Sequence, residues 1–159
     1  MSKLSNLYIG RAGQMVVMAE FLVRGYNVAV PEVDVGDDIF VVRDSDGLHT
    51  RIQVKTTNAT DTQQGYSARY TLKMSQLRIP SAPETWYVFV NRLHEEWKSF
   101  LVAPRQELLD LHDLYDIGSV NKNGVLSLYV SYTGDEVICS GQDLRQYLNN
   151  WNSWAQIEH

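Results

Sequence analysis

Asp38, Gln53 and Lys55 are the residues of this 159-residue chain whose types and spacing could do chemistry. They fall on the two arms of a predicted β-hairpin. Ile39-Phe40-Val41-Val42 is β-prone, Asp44-Ser45-Asp46-Gly47 is turn chemistry, and Leu48 to Lys55 returns. With Asp44 to Gly47 as the loop, Asp38 faces Gln53, Phe40 faces Arg51 and Val42 faces His49. Opposed residues share a face, as do residues two apart, so Asp38, Gln53 and Lys55 point one way. Ile39, Val41, Ile52 and Val54 then pack on the other side, and a slip of one residue would turn that apolar set to water. A carboxylate oxygen, an amide oxygen and a nearby backbone carbonyl are hard ligands that suit Mg²⁺ or Mn²⁺ with waters retained. A lysine beside such an ion can orient water and offset charge growing on a phosphate. That is equipment for phosphodiester hydrolysis. A plain cross-strand ion pair between Asp38 and Lys55, with Gln53 beside it, satisfies the same spacing.

The elements that must position these groups follow from periodicity and punctuation. Leu7, Met15, Val16, Ala19, Leu22 and Val23 recur at helical spacing and predict a leading helix closed by Gly25. Gly10 and Gly13 fall within that pattern, so the helix either begins late or packs closely against something there. Tyr26 to Val30 reads as a strand ended by Pro31, followed by an acidic loop over 32–37. After the hairpin, 56–65 reads as a polar surface loop, or as the tip of a long hairpin if 67–72 is a strand. A short helix over 72–79, strands over 85–90 and 99–102, and a helix opened by Pro104 come next. A second hairpin over 125–139 and a last helix capped by Ser140 or Gly141 and running through Trp154 complete the order. The pattern predicts one α/β domain over 1–159, a central mixed sheet flanked by helices.

Composition narrows the class. With 44% hydrophobic and 21% charged residues the chain has the makeup of a globular protein, and one cysteine, Cys139, predicts a reducing, cytoplasmic setting. No apolar run is long enough to span a bilayer and no leader pattern follows the start, so no membrane partner is expected. The net charge is −5, yet between Arg51 and Pro83 five basic residues, Arg51, Lys55, Arg69, Lys73 and Arg78, meet a single acid, Asp61. Such a local stripe is either a solvated face or a nucleic-acid footprint. Thr56, with its polar neighbours through Gln64, could line a groove beside it. Trp86, Trp97, Trp151 and Trp154 are read as core or interface before base-stacking residues, and no zinc spacing is present among the histidines.

Gly10-Arg11-Ala12-Gly13-Gln14, Phe21-Leu22-Val23-Arg24-Gly25-Tyr26, Asp37-Asp38-Ile39-Phe40-Val41 and Ile52-Gln53-Val54-Lys55-Thr56 occur in that order. Together they resemble the PD-(D/E)xK nuclease superfamily over roughly the first third of the chain. The nearest shapes are archaeal Holliday-junction resolvases and group I intron homing endonucleases of this fold. The resemblance implies a restriction-endonuclease-like fold and a metal-dependent DNA endonuclease using Mg²⁺ or Mn²⁺. Asp38 matches the metal-binding Asp, with Asp34 and Asp37 as competitors, Gln53 the Glu/Gln ligand with the Val54 carbonyl beside it, and Lys55 the lysine. The first-helix glutamate falls on Gln14, which would support the water or a second ion. Arg51, Thr56, Arg69, Lys73 and Arg78 would hold DNA, double-stranded or branched, and a homodimer or higher homo-oligomer is implied, with Trp151 and Trp154 near its contact. Gln14 and Gln53 are neutral where many relatives carry Glu, which equally implies a module that kept the fold and binds DNA or a protein without cutting.

Overall fold

The computed structural model describes residues 3–159; Met1 and Ser2, part of the start read for a leader, lie outside the described residues. Helix α1 (Lys3–Val23) ends where Gly25 takes a φ of +88°, a conformation that favours glycine. Strands β1 (Asn27–Ala29), β2 (Ile39–Arg43) and β3 (Leu48–Asn58) follow. The β2–β3 ladder pairs Ile39 with Ile52, Phe40 with Arg51 and Val42 with His49, the register expected from the turn. β4 (Thr60–Thr62) and β5 (Gly65–Lys73) replace the polar loop with a hairpin turned at Gln63 and Gln64.

Helix α2 (Met74–Arg78) leads to β6 (Thr85–Leu93), β7 (Glu96–Pro104) and helix α3 (Arg105–Tyr115). β8 (Ser119–Val120), β9 (Val125–Thr133), β10 (Glu136–Cys139) and β11 (Gln142–Asp143) close the second half. The first sheet has the order β1-β2-β3-β6-β7 and is mixed, since β3 and β6 run parallel while its other neighbours are antiparallel. A parallel pair needs a crossover, and here β4, β5 and α2 make it. On the way β5 joins a second sheet, β11-β10-β9-β5-β4, with β8 beside β9.

Alternation divides the core in two. Val88 and Val90 of β6 join Ile39, Val41, Ile52 and Val54 under α1, where Val17 and Phe21 are fully buried. Tyr87 and Phe89, one residue out of phase, face the second sheet with Tyr70, Leu72, Leu126 and Leu128. The result is a mixed α/β arrangement, a central mixed sheet flanked by helices. Asp38, Gln53 and Lys55 sit on the face turned to the second sheet.

Two expectations are corrected. The helix forms as its spacing predicts, yet the residues that carry the spacing are not the ones that seat it: Leu7, Met15, Leu22 and Val23 are exposed, and the buried positions are Gly13, Val17 and Phe21. The second apolar face of the helix masked the first. The last helix is absent. Ser140 and Gly141, with φ of 50° and 77°, form the two-residue turn between β10 and β11, the positive-φ pattern of tight hairpins. Beyond it only a 3₁₀ turn at Arg145–Tyr147 forms, and Trp151 and Trp154 pack edge-on against Phe21 at 5.4 and 5.2 Å. These tryptophans, buried under α1, are core and offer no apolar surface of their own for a subunit contact.

Candidate active site

The hairpin brings Asp38 and Gln53 into direct contact and sets Lys55 near enough to feel the Asp38 charge, with no direct bond to it. Gln53 donates its side-chain N–H to Asp38 Oδ2 at 2.6 Å, and the Val54 backbone N–H donates to the same oxygen at 2.7 Å. The Asp38 N–H in turn donates to the Ile52 carbonyl at 2.8 Å, extending the ladder by one step and fixing where the carboxylate stands. Asp38 Oδ1 accepts no hydrogen bond among the described residues. Gln53 is buried, and its Oε1 has no hydrogen-bond partner. A buried acceptor left without a donor costs about 1–3 kcal/mol, and this oxygen is one of four such buried side-chain atoms among the described residues.

Electrostatics mark the same spot. Burial pushes the Asp38 carboxyl above its ordinary value of 3.8, against the opposing pull of the Val54 N–H and the Lys55 charge. Burial also pulls Lys55 below its ordinary 10.5; the Asp38 charge opposes this and the Lys73 charge adds to it. Both groups therefore carry charge at a cost.

Helix α1 reaches the site through Gln14. Its side-chain N–H donates to the Asp38 carbonyl oxygen at 2.7 Å, while its Oε1 accepts from Arg11 at 2.7 Å. Gln14 thus holds the strand that carries Asp38, with both ends of its amide engaged. The close approach that allows this is at Gly13, packed on Thr56 of β3.

Lys55 opens onto a cleft between β3 and β5. One part, about 320 Å³, is lined by Asp34, Gln53, Lys55, Lys73 and Gln76; the other, about 390 Å³, by Asn6, Lys55, Arg69 and Thr71. Arg69 and Lys73 alternate with buried residues along β5 and are exposed, so both present their charge at the cleft. Arg69 also donates to the Ser127 hydroxyl at 3.1 Å and lies over the Tyr129 ring.

The other predicted contact residues stand elsewhere. Arg78 forms a two-pronged pair with Asp113 of α3 at 2.8 and 3.1 Å. Arg51 is paired with the buried Asp37 at 3.1 Å and lines a separate cavity of about 260 Å³ behind Gly36. Thr56 does line the second part of the cleft, but its hydroxyl is buried toward α1 without a partner, because Thr56 follows Lys55 on the strand and alternation turns its side chain the other way. Gln76 on α2 and Asp34 on the acidic loop, by contrast, are drawn into the cleft. Asp34 Oδ1 accepts from the Gly36 N–H at 2.9 Å, and its charge acts on both Asp38 and Lys55. Nothing local in the sequence signals Gln76, which arrives through the crossover.

Comparison with known proteins supplies a fold. No family model and no curated protein matches the chain. Among solved structures it is similar to a bacterial homing endonuclease, I-Ssp6803I, with a TM-score of 0.52 and 16% identity. That match covers 91% of this chain and 87% of the other, so the likeness runs through both sheets. At such low identity the similarity is one of architecture: the chain has a nuclease-type fold.

Proposed function

We propose that this protein is a metal-dependent DNA endonuclease of the PD-(D/E)xK kind, hydrolysing phosphodiester bonds at Asp38, Gln53 and Lys55. The observation that carries the reading is the buried, unpartnered Oε1 of Gln53 next to a carboxylate with a free oxygen. Those two oxygens, with the Val54 carbonyl, are donors of the type that Mg²⁺ or Mn²⁺ takes. Such an ion, when bound, supplies Lewis-acid polarisation of a phosphoryl oxygen. Lys55, with its proton on Nζ, would donate to a phosphate oxygen and offset the charge growing there, while its neutral amine, favoured by the lowered pKa, would orient the attacking water and accept its proton. Gln14 keeps the Asp38 backbone in place. Arg69 and Lys73 hold flanking phosphates of double-stranded or branched DNA along the cleft.

The test is nicking of supercoiled and branched DNA with Mg²⁺ or Mn²⁺. Lys55→Ala and Asp38→Ala, folded as the parent is, are expected to lose roughly 10²–10³-fold in rate. Trace cutting that is the same in parent and both variants would overturn the proposal.

A second reading has its own observation. Gln14 and Gln53 are neutral, and the Gln14 amide is engaged at both ends, leaving Asp38 as the one aligned carboxylate. A module that binds DNA without cutting would show salt-dependent binding and no product with either metal.

A further inference from the structure

Helix α1 has two apolar faces and the fold uses one. Gly13, Val17 and Phe21 are buried against the first sheet. On the other side Leu4, Tyr8, Met15 and Leu22 are 62, 72, 59 and 52% exposed. With Arg11 and the half-buried Met18 they make a continuous stripe, spaced alternately by four and three residues. That alternation keeps a seam straight along a helix and is the spacing by which two helices pack together. The stripe contains no acid, and the one acid of the helix, Glu20, is tied to Arg24 at 2.6 Å.

We propose that this stripe is the contact through which a second copy of the chain packs, α1 against α1 and antiparallel about a twofold axis near Gly13. The stripe is its own complement in that arrangement. Its positions mirror about Gly13, so that Leu4 meets the partner's Leu22, Tyr8 the partner's Met18, and Arg11 the partner's Met15. Every apolar knob but Met15 faces an apolar residue, and Met15 lays its unbranched thioether chain along the partner's Arg11. A parallel pair would set the two Arg11 side chains against each other, a like-charge contact that costs energy. A lipid surface fits poorly, because only Lys3 and Arg11 carry positive charge on this helix. The length is adequate. A helix of 21 residues runs about 31 Å, and two of them side by side bury on the order of 1,000 Å² in total, a modest but specific interface.

The contact touches the site through one residue. The Arg11 guanidinium donates to Gln14, and Gln14 donates to the Asp38 carbonyl. The interface itself is independent of any cleavage, so it is tested without DNA or metal. Sedimentation of the full chain over a range of concentrations is expected to show a reversible monomer–dimer equilibrium. Leu22→Glu and Tyr8→Glu, at exposed positions, are expected to be monomeric with unchanged circular dichroism and a Tm that, unlike the parent's, does not depend on protein concentration. Leu4→Cys combined with Leu22→Cys is expected to give a covalent dimer on mild oxidation, while Leu22→Cys alone is not; the buried Cys139 does not compete. A monomer at every concentration, a dimer that survives both charge substitutions, or cross-linking by Leu22→Cys alone as fast as by the pair would overturn the proposal.

Discussion

Gly13 and Thr56 are in such close contact that a methyl group on Gly13 would lie 2.1 Å from the threonine hydroxyl oxygen. This approach sets the depth at which α1 lies on β3 and therefore where Gln14, the next residue, meets Asp38. Gly13→Ala forces the helix outward and is expected to cost about 1–3 kcal/mol, the usual penalty of overpacking. Thr56→Ala removes a buried hydroxyl without a partner, so alone it is expected to be near neutral, and in combination it recovers part of the loss. Urea denaturation of the four chains measures the coupling; additive costs would contradict it.

Gln14 acts on the site through the Asp38 backbone and not by touching substrate. Gln14→Ala is expected to weaken Mn²⁺ binding about 10–100-fold, as loss of a supporting partner does at metal sites, with DNA affinity unchanged. Gln14→Glu sets a carboxylate oxygen that cannot donate against the Asp38 carbonyl and is expected to weaken Mn²⁺ binding as well. Calorimetric titration of the metal reads both; equal affinity in all three chains would remove Gln14 from the account.

The raised pKa of Asp38 has two consequences. A carboxylate must be ionised to hold a cation, so metal affinity is expected to fade on acidification at a pH above the ordinary 3.8. The folded chain also holds that proton more tightly than the unfolded chain does, so the contribution of Asp38 to stability falls as pH rises from 3.8 through its folded pKa. Asp38→Asn lacks this dependence. Its stability relative to the parent is therefore expected to increase between acid and neutral pH, which denaturant unfolding at the two ends of that range checks. A constant or shrinking difference would contradict the burial of this charge.

Three basic residues of one stripe are expected to behave differently on DNA. Arg69→Ala and Lys73→Ala, at the cleft, each lose a phosphate contact and reduce the slope of log K against log salt by about 0.9. Arg78→Ala breaks a pair with Asp113 on the far helix and is expected to leave both affinity and slope unchanged. Binding titrations over a range of salt concentrations separate them, and equal effects at all three positions would refute the cleft as the DNA path.

What the sequence disclosed depended on whether short-range rules applied. The β2–β3 register was legible because the turn fixes the count and Ile39, Val41, Ile52 and Val54 fix the face. From that register the meeting of Asp38 with Gln53 follows. The helix that was expected after Ser140 fails for an equally local reason, since two consecutive positive-φ residues suit a hairpin turn better than a cap. Long-range features were not legible. Asp34 and Gln76 enter the cleft only once the loop before β2 and the crossover after β5 are folded, and Arg78 finds Asp113 across 35 residues. The buried face of α1 was not legible either, because two apolar stripes share one helix and periodicity alone does not say which is covered.

The central claim is that Asp38 and Gln53 hold a divalent cation beside Lys55. Anomalous diffraction from crystals soaked in Mn²⁺ tests it most directly. The account predicts a peak within coordination distance, about 2.0–2.5 Å, of Asp38 Oδ1 and Gln53 Oε1, lost in Asp38→Asn crystals. No peak there, with the Lys55 ammonium bonded directly to the Asp38 carboxylate, would reduce the site to a cross-strand ion pair.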